Sequence, residues 1–130
     1  MHGMHTDLPN SDPLTRSIIG CAFAVANGLG PGFFEKVYEN ALANKLRDTG
    51  HAVEQQRAVD VRFEGRVVGT YVADLMIDDA VVVELKAVAA LNNAHVAQCL
   101  NFLKASGLRS CLLLNFGTRR LEIRRVSGPA

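Results

Sequence analysis

The stretch Gly69–Val88, GTYVADLMIDDAVVVELKAV, constrains this chain more than any other. It reads as two apolar strands joined by the turn Asp78-Asp79-Ala80, because runs rich in Val, Ile, Leu and Tyr between turn residues are the strand signal. Three charged residues break the apolar runs: Asp74 on the first strand, Glu84 and Lys86 on the second. Strand side chains alternate faces. Glu84 and Lys86 therefore share one face, and Val81, Val83, Leu85 and Ala87 take the other. A three-residue turn pairs Ile77 with Val81 and sets Asp74 opposite Glu84. A slip of one residue would send the two acids to different faces. Opposed residues have Cβ atoms roughly 4.5–5.5 Å apart, and like charges there are destabilising. Two carboxylates held together among Val and Leu require a proton, a cationic side chain or a metal ion. Lys86 is at hand, and a divalent metal is the sharper expectation.

The rest of the chain supplies helices and flanking strands. Ser11 or Asp12 before Pro13 is a helix start. Leu14, Ile18, Cys21, Ala22 and Val25 recur at helical spacing through about Asn27. Gly28, Gly30, Pro31 and Gly32 stop that helix. A second helix is expected from about Phe33 to Thr49, ending at Gly50, with Phe34, Val37, Tyr38, Ala41, Leu42 and Leu46 on its apolar face. Glu35 lies in its first turn, where the helix dipole favours an anion. Residues 52–63 read as a strand, with Glu64-Gly65 as a hairpin turn. Asn92 is a plausible cap for a helix running to about Ser106, with His95, Gln98, Cys99 and Phe102 on one face. Strands over Leu108–Phe116 and about Arg119–Val126 close the chain. The order helix, helix, three strands, helix, two strands predicts an α/β (α+β type) domain, a mixed sheet flanked by helices.

Composition narrows the function classes. With 130 residues and 48% apolar content, one globular domain is expected over 12–130, behind a disordered tail over 1–11. The net charge of +1 gives no global footprint for nucleic acid, so any basic patch must be local. No run of 18 apolar residues predicts a membrane helix, and the N-terminus lacks the pattern of a signal peptide. Cys21, Cys99 and Cys111 each lie in apolar segments and read as buried free thiols in a reducing, cytoplasmic setting.

Asp74, followed on the next strand by Glu84-Leu85-Lys86, resembles the D…(D/E)-x-K signature of the PD-(D/E)XK nuclease-like superfamily. The flanking segments resemble the GxxExxY protein family: Leu29-Gly30-Pro31-Gly32, Gly32-Phe33-Phe34-Glu35-Lys36-Val37-Tyr38, Tyr71-Val72-Ala73-Asp74-Leu75 and Val83–Val88. His95 and Gln98 with Leu103-Lys104, and Leu113-Leu114-Asn115-Phe116, extend the likeness over roughly residues 14–126. Ala73 stands where a proline often precedes the Asp, and Phe102 where many relatives have Tyr.

The resemblance implies a restriction-endonuclease-like αβββαβ core in which Glu35, Asp74, Glu84, Lys86 and Gln98 converge at one edge of the sheet. Asp74 and Glu84 would be the main ligands of Mg²⁺ (or Mn²⁺), helped by the Leu85 carbonyl. Glu35 would bind through water or hold a second ion. Lys86 would orient the attacking water and stabilise charge on the phosphorane, and Gln98 would fix the water or Lys86. His95, Arg119 and Arg120 are candidate contacts to a nucleic-acid backbone, with Arg124 and Arg125 beside them. The implied activity is metal-dependent phosphodiester hydrolysis in DNA or RNA. The alternatives are a catalytically inactive nuclease-fold module that binds nucleic acid or protein, and a metal-assisted hydrolase of another phosphoester. So small and weakly basic a chain is expected to need a homodimer or another partner to grip a polymer.

Overall fold

The computed structural model describes residues 12–128, so the expected N-terminal tail lies outside the described residues. Two helices come first, α1 (Pro13–Leu29) and α2 (Glu35–Asp48). Three strands follow, β1 (Val53–Phe63), β2 (Arg66–Ile77) and β3 (Val81–Lys86), then α3 (Asn93–Ser106), β4 (Ser110–Asn115) and β5 (Glu122–Ser127). The sheet order is β1-β2-β3-β4-β5. All neighbours are antiparallel except β3 and β4, whose parallel pairing requires the crossover that α3 provides. The αβββαβ core expected from the resemblance is therefore present, extended by β5 and preceded by a second helix.

Helices α1 and α3 start where side chains satisfy free backbone donors. Asp12 Oδ1 accepts the Thr15 N–H at 2.7 Å ahead of Pro13. Asn92 Oδ1 accepts the His95 N–H at 3.1 Å, and His95 Nδ1 accepts the Asn92 N–H at 3.1 Å, a reciprocal cap. Gly107, at φ 76°, closes α3 in the left-handed conformation that glycine adopts without penalty.

The sheet separates two cores. On one side Val81, Val83, Leu85, Leu75, Ile77, Leu112 and Leu114 pack against Ile18, Ala22, Tyr38, Leu42 and Leu46 of α1 and α2. On the other, Ala73, Met76, Val82, Cys111 and Leu113 pack against Cys99, Phe102 and Leu103 of α3. All three cysteines are buried free thiols. Among the described residues, no helix is long and apolar enough to cross a membrane.

Three expectations need correction. The buried face of α2 is Tyr38, Glu39, Leu42, Ala43 and Leu46, while Phe34 and Val37 are exposed. The face is rotated because Tyr38 and Glu39 both find polar partners inside. Gln98 likewise lies on the exposed side of α3, with His95 half-buried and Cys99, Phe102 and Leu103 facing the sheet. Third, β5 begins at Glu122, so Arg119 and Arg120 belong to the turn before it.

Gly117, in the turn after β4, lies against the backbone of Val88. A Cβ on Gly117 would strike the backbone N and O of Val88, whereas one on Gly69 would meet nothing within 4 Å. Backbone cannot yield as a flexible side chain does. Gly117→Ala is expected to cost about 2 kcal/mol or more. Thermal denaturation should show a drop of many degrees for Gly117→Ala and a small change for Gly69→Ala; equal melting temperatures would contradict this packing.

Candidate active site

The expected hairpin register is present: Ile77 pairs with Val81, Met76 with Val82 and Leu75 with Val83. The turn between them is tight, with Asp78 and Asp79 both at φ 53° and the Ala80 N–H on the Ile77 carbonyl at 2.9 Å. The ladder pairing ends one step short of Asp74 and Glu84. There the two carboxylates take over. Glu84 Oε2 accepts the Asp74 N–H at 2.9 Å, and Asp74 Oδ2 accepts the Leu85 N–H at 2.8 Å. Each acid thus caps the backbone of the opposite strand, and the pair uses one oxygen of each carboxylate.

The same step disturbs β1. Gln55 pairs with Leu75 and Arg57 with Ala73, while Gln56, between them, adopts φ 56°. Leu75 packs toward α1 and α2, yet Ala73, two residues away, packs toward α3. Plain alternation puts both on one face; the left-handed residue twists the hairpin through that position instead. Asp74 sits at the twist. Its Oδ1 takes a long bond from Gln56 Nε2 at 3.4 Å, and the same nitrogen donates to Glu39 Oε1 at 2.8 Å.

Glu39 is the functional candidate that sequence reasoning missed. It is only 4% exposed. Its Oε2 accepts from Gln55 Nε2 at 2.7 Å and from Lys36 Nζ at 3.1 Å. A signal was available, since Glu39 falls in the i, i+3, i+4 pattern of Tyr38, Leu42, Ala43 and Leu46. A carboxylate in the buried face of a helix demands a partner. Glu35, the acid that the sequence points to, is exposed in the first turn of α2.

Lys86 follows Glu84 on the α3 face, and its Nζ donates to Gln98 Oε1 at 3.3 Å. Glu84, Gln98, Thr70, Tyr71, Val72 and Phe102 line a cleft of about 180 Å³. Asp74, Glu84, Lys86 and Gln98 are therefore brought to one place between the diverging ends of β2 and β3. The strand after Lys86 is held by Asn115. Its side chain accepts from the Val88 and Gly117 N–H groups at 3.0 Å each and donates to the Val88 carbonyl and Glu122.

Electrostatics in the cleft are set by crowded acids. Burial pushes the Glu84 carboxyl up to about 7, with the Asp74 charge adding to it and Glu35 contributing less; the Asp74 N–H and Lys86 pull the other way. The Asp74 carboxyl is also raised, first by burial and then by Glu39, against the Leu85 N–H, Gln56 and Lys86.

Tyr38 is buried as expected, and its hydroxyl serves the backbone. It donates to the Gly30 carbonyl at 2.6 Å and accepts the Phe33 N–H at 3.1 Å. His95 spends its Nδ1 on the α3 cap. Arg119, Arg120 and Arg124 line a separate cleft of about 630 Å³ with residues of α1. Arg125 pairs with Asp12 at 3.6 Å.

Among the described residues, no three His, Cys, Asp or Glu side chains form a ready metal cluster. The residues present nevertheless fit a hard divalent cation. Mg²⁺ characteristically takes one or two carboxylates and completes its octahedron with water and substrate phosphate. Asp74 and Glu84 each keep one oxygen outside their mutual backbone bonds. Their raised affinity for protons marks a site short of positive charge.

An acid on each of two strands whose pairing ends beside them, with a lysine two residues after the second acid, is the arrangement that the D…(D/E)-x-K resemblance implies. The PD-(D/E)XK nuclease superfamily model matches residues 12–126, and the chain belongs to that superfamily. The restriction-endonuclease-like fold is shared with solved structures. The crystal structure of SSO0001 is 16% identical at TM-score 0.58, over 74% of this chain and 49% of that one. An alkaline exonuclease from Laribacter hongkongensis is 14% identical at TM-score 0.55, over 72% of this chain and 56% of that one. The chain thus spans about half the length of either structure. Among curated proteins, none matches.

The acid crowding has a measurable consequence. A carboxyl raised in the folded state contributes stability below its unfolded value, and that stability is lost as pH rises through the folded value. For Glu84 the window runs from 4.5 to about 7. The metal-free protein is expected to lose several degrees of melting temperature between about pH 5 and pH 8.5. Glu84→Gln should remove most of that slope, since its amide oxygen can still accept the Asp74 N–H. An unchanged slope in the variant would contradict the assignment.

Proposed function

We propose that this protein is a metal-dependent nuclease that hydrolyses phosphodiester bonds in DNA or RNA. The observation that carries the reading is the pair Asp74 and Glu84, each bonded to the other's strand, with Lys86 donating to Gln98, which lines the cleft beside Glu84. Membership of the superfamily supports it. Within the superfamily we place the chain in the GxxExxY group, on Gly32-Phe33-Phe34-Glu35-Lys36-Val37-Tyr38.

Asp74 and Glu84 would hold Mg²⁺ or Mn²⁺ through their remaining oxygens, with the Leu85 carbonyl as a further donor. Bound there, such an ion would supply Lewis acidity toward a phosphate oxygen and toward a bound water. Glu35 supplies negative charge at the rim, within electrostatic reach of Glu84, and acts through water. Glu39 holds Gln56 against Asp74 and so sets the orientation of that carboxylate. Lys86 orients the attacking water and balances charge on the phosphorane, with Gln98 fixing its ammonium. The water oxygen bonds to phosphorus, the bond to the leaving sugar oxygen breaks, and a phosphate monoester and a hydroxyl result.

Lys86→Ala is expected to lower kcat for oligonucleotide cleavage at least about 100-fold, while metal binding is retained. Mg²⁺ or Mn²⁺ should raise the melting temperature of the wild type and of Lys86→Ala, but not of Asp74→Ala or Glu84→Ala. A wild type with the metal shift and no cleavage of any DNA or RNA would favour the inactive, nucleic-acid- or protein-binding module. Cleavage of another phosphoester alone would favour the broader hydrolase.

The homodimer rests on β2. Its N-terminal part extends beyond β3 and carries exposed Val67 and Val68 beside Phe63 of β1. An exposed apolar edge strand is a pairing surface. Light scattering should report two copies at working concentration; a fully active monomer would refute the dimer.

A further inference from the structure

Phe34 is 85% exposed and Phe33 48%, and together they form the turn that delivers Glu35. Neither ring belongs to either core. Exposed phenylalanine is unfavourable in water, so two in sequence at the rim of a site call for an occupant. The turn that shows them is held firmly. Tyr38 bonds to the Gly30 carbonyl and the Phe33 N–H on either side of Pro31-Gly32, and the Phe33 ring meets the Tyr38 ring edge-on at 6.1 Å.

Tyr38 also ties this turn to a basic cleft. Its ring stacks on Phe116 at 4.8 Å and 14°, and the Phe116 N–H donates to the Lys86 carbonyl at 2.8 Å. Phe116 leads into the turn that carries Arg119 and Arg120, both exposed. These two and Arg124 line the cleft of about 630 Å³ against Phe23, Ala26 and Asn27 of α1, the helix that runs on into the aromatic turn. Among the described residues, no ion pair engages Arg119, Arg120 or Arg124. The one acid in the cleft wall, Glu122, already accepts from Asn115 Nδ2 at 2.7 Å and the Leu91 N–H at 3.3 Å.

Unpaired arginines in a cleft attract phosphate, and exposed rings stack with bases. A duplex hides its base faces, so an outward phenyl ring can be stacked only by an unpaired base. We propose that the arginine cleft and the Phe33-Phe34 turn form one track for single-stranded nucleic acid, with phosphates on Arg119, Arg120 and Arg124 and a base on Phe34. The track deepens the nuclease reading and rests on it, because it names the form of polymer brought to the Lys86 strand.

The test is binding of a labelled single-stranded oligonucleotide and its matching duplex, by fluorescence anisotropy in EDTA at low salt. The wild type should bind the single strand about tenfold more tightly than the duplex. Phe34→Ala should weaken single-strand binding about tenfold, Phe34→Tyr should preserve it, and neither should alter duplex binding or melting temperature. Arg119→Ala with Arg120→Ala should lower the slope of log K against log salt by about 1.4. Equal binding of both forms, or indifference to Phe34→Ala, would overturn the track. So would a Phe34-dependent self-association without oligonucleotide binding. Cleavage of the same oligonucleotides with Mg²⁺ separates the two readings. Phe34-dependent binding without cleavage keeps the track and removes the nuclease, whereas cleavage with Phe34-independent binding does the reverse.

Discussion

At the point where β2 and β3 part, Asp74 and Glu84 each bond to the other strand's backbone, and much of the site follows from that exchange. An antiparallel pair normally satisfies its N–H groups with carbonyls. Here a carboxylate oxygen stands in for a carbonyl on each side. The substitution lets the strands diverge without orphaning the Asp74 and Leu85 amides, which would be costly in a buried position. It also fixes both acids by backbone geometry rather than by flexible side-chain contacts. Divergence opens the cleft toward Gln98 and Phe102, and the next residue on that face of β3, Lys86, reaches α3.

The arrangement is electrostatically uneasy. Burial, mutual repulsion and the nearby Glu39 and Glu35 raise the proton affinity of the central pair, and Lys86 offsets only part of it. A fold shaped for stability alone would fill this position with Val or Leu at little cost. Retaining two acids, bracing one through Gln56 and Glu39, and locking the strand after Lys86 with Asn115 is the pattern of a site organised for positive charge. Under the nuclease reading, that charge would come from a divalent ion.

Much of this was legible in the sequence. Parity along two short apolar strands set the register from Ile77–Val81 to Leu75–Val83, the steps that lead up to Asp74 and Glu84. The order of elements and the caps at Asp12 and Asn92 follow from local chemistry in the same way. What escaped came from tertiary context. Nothing local announces φ 56° at Gln56, so the face change between Ala73 and Leu75 could not be read. Helical spacing placed Phe34 and Val37 on the buried face of α2, but Tyr38 and Glu39 face inward because Gly30, Phe33, Gln55 and Gln56 supply their partners. Those partners come from the preceding turn and from β1. Arg119 and Arg120 looked like strand residues because β5 is short and its start carries no turn signal stronger than Gly117-Thr118.

The most direct test of the central claim is anomalous scattering from crystals grown with Mn²⁺ at about pH 8, where both acids ionise more readily in the presence of the ion. The account predicts a single strong peak at direct bonding distance from one oxygen of Asp74 and one of Glu84. A well-ordered cleft with no peak there, or Mn²⁺ bound elsewhere while the two carboxylates keep only their backbone bonds, would contradict it.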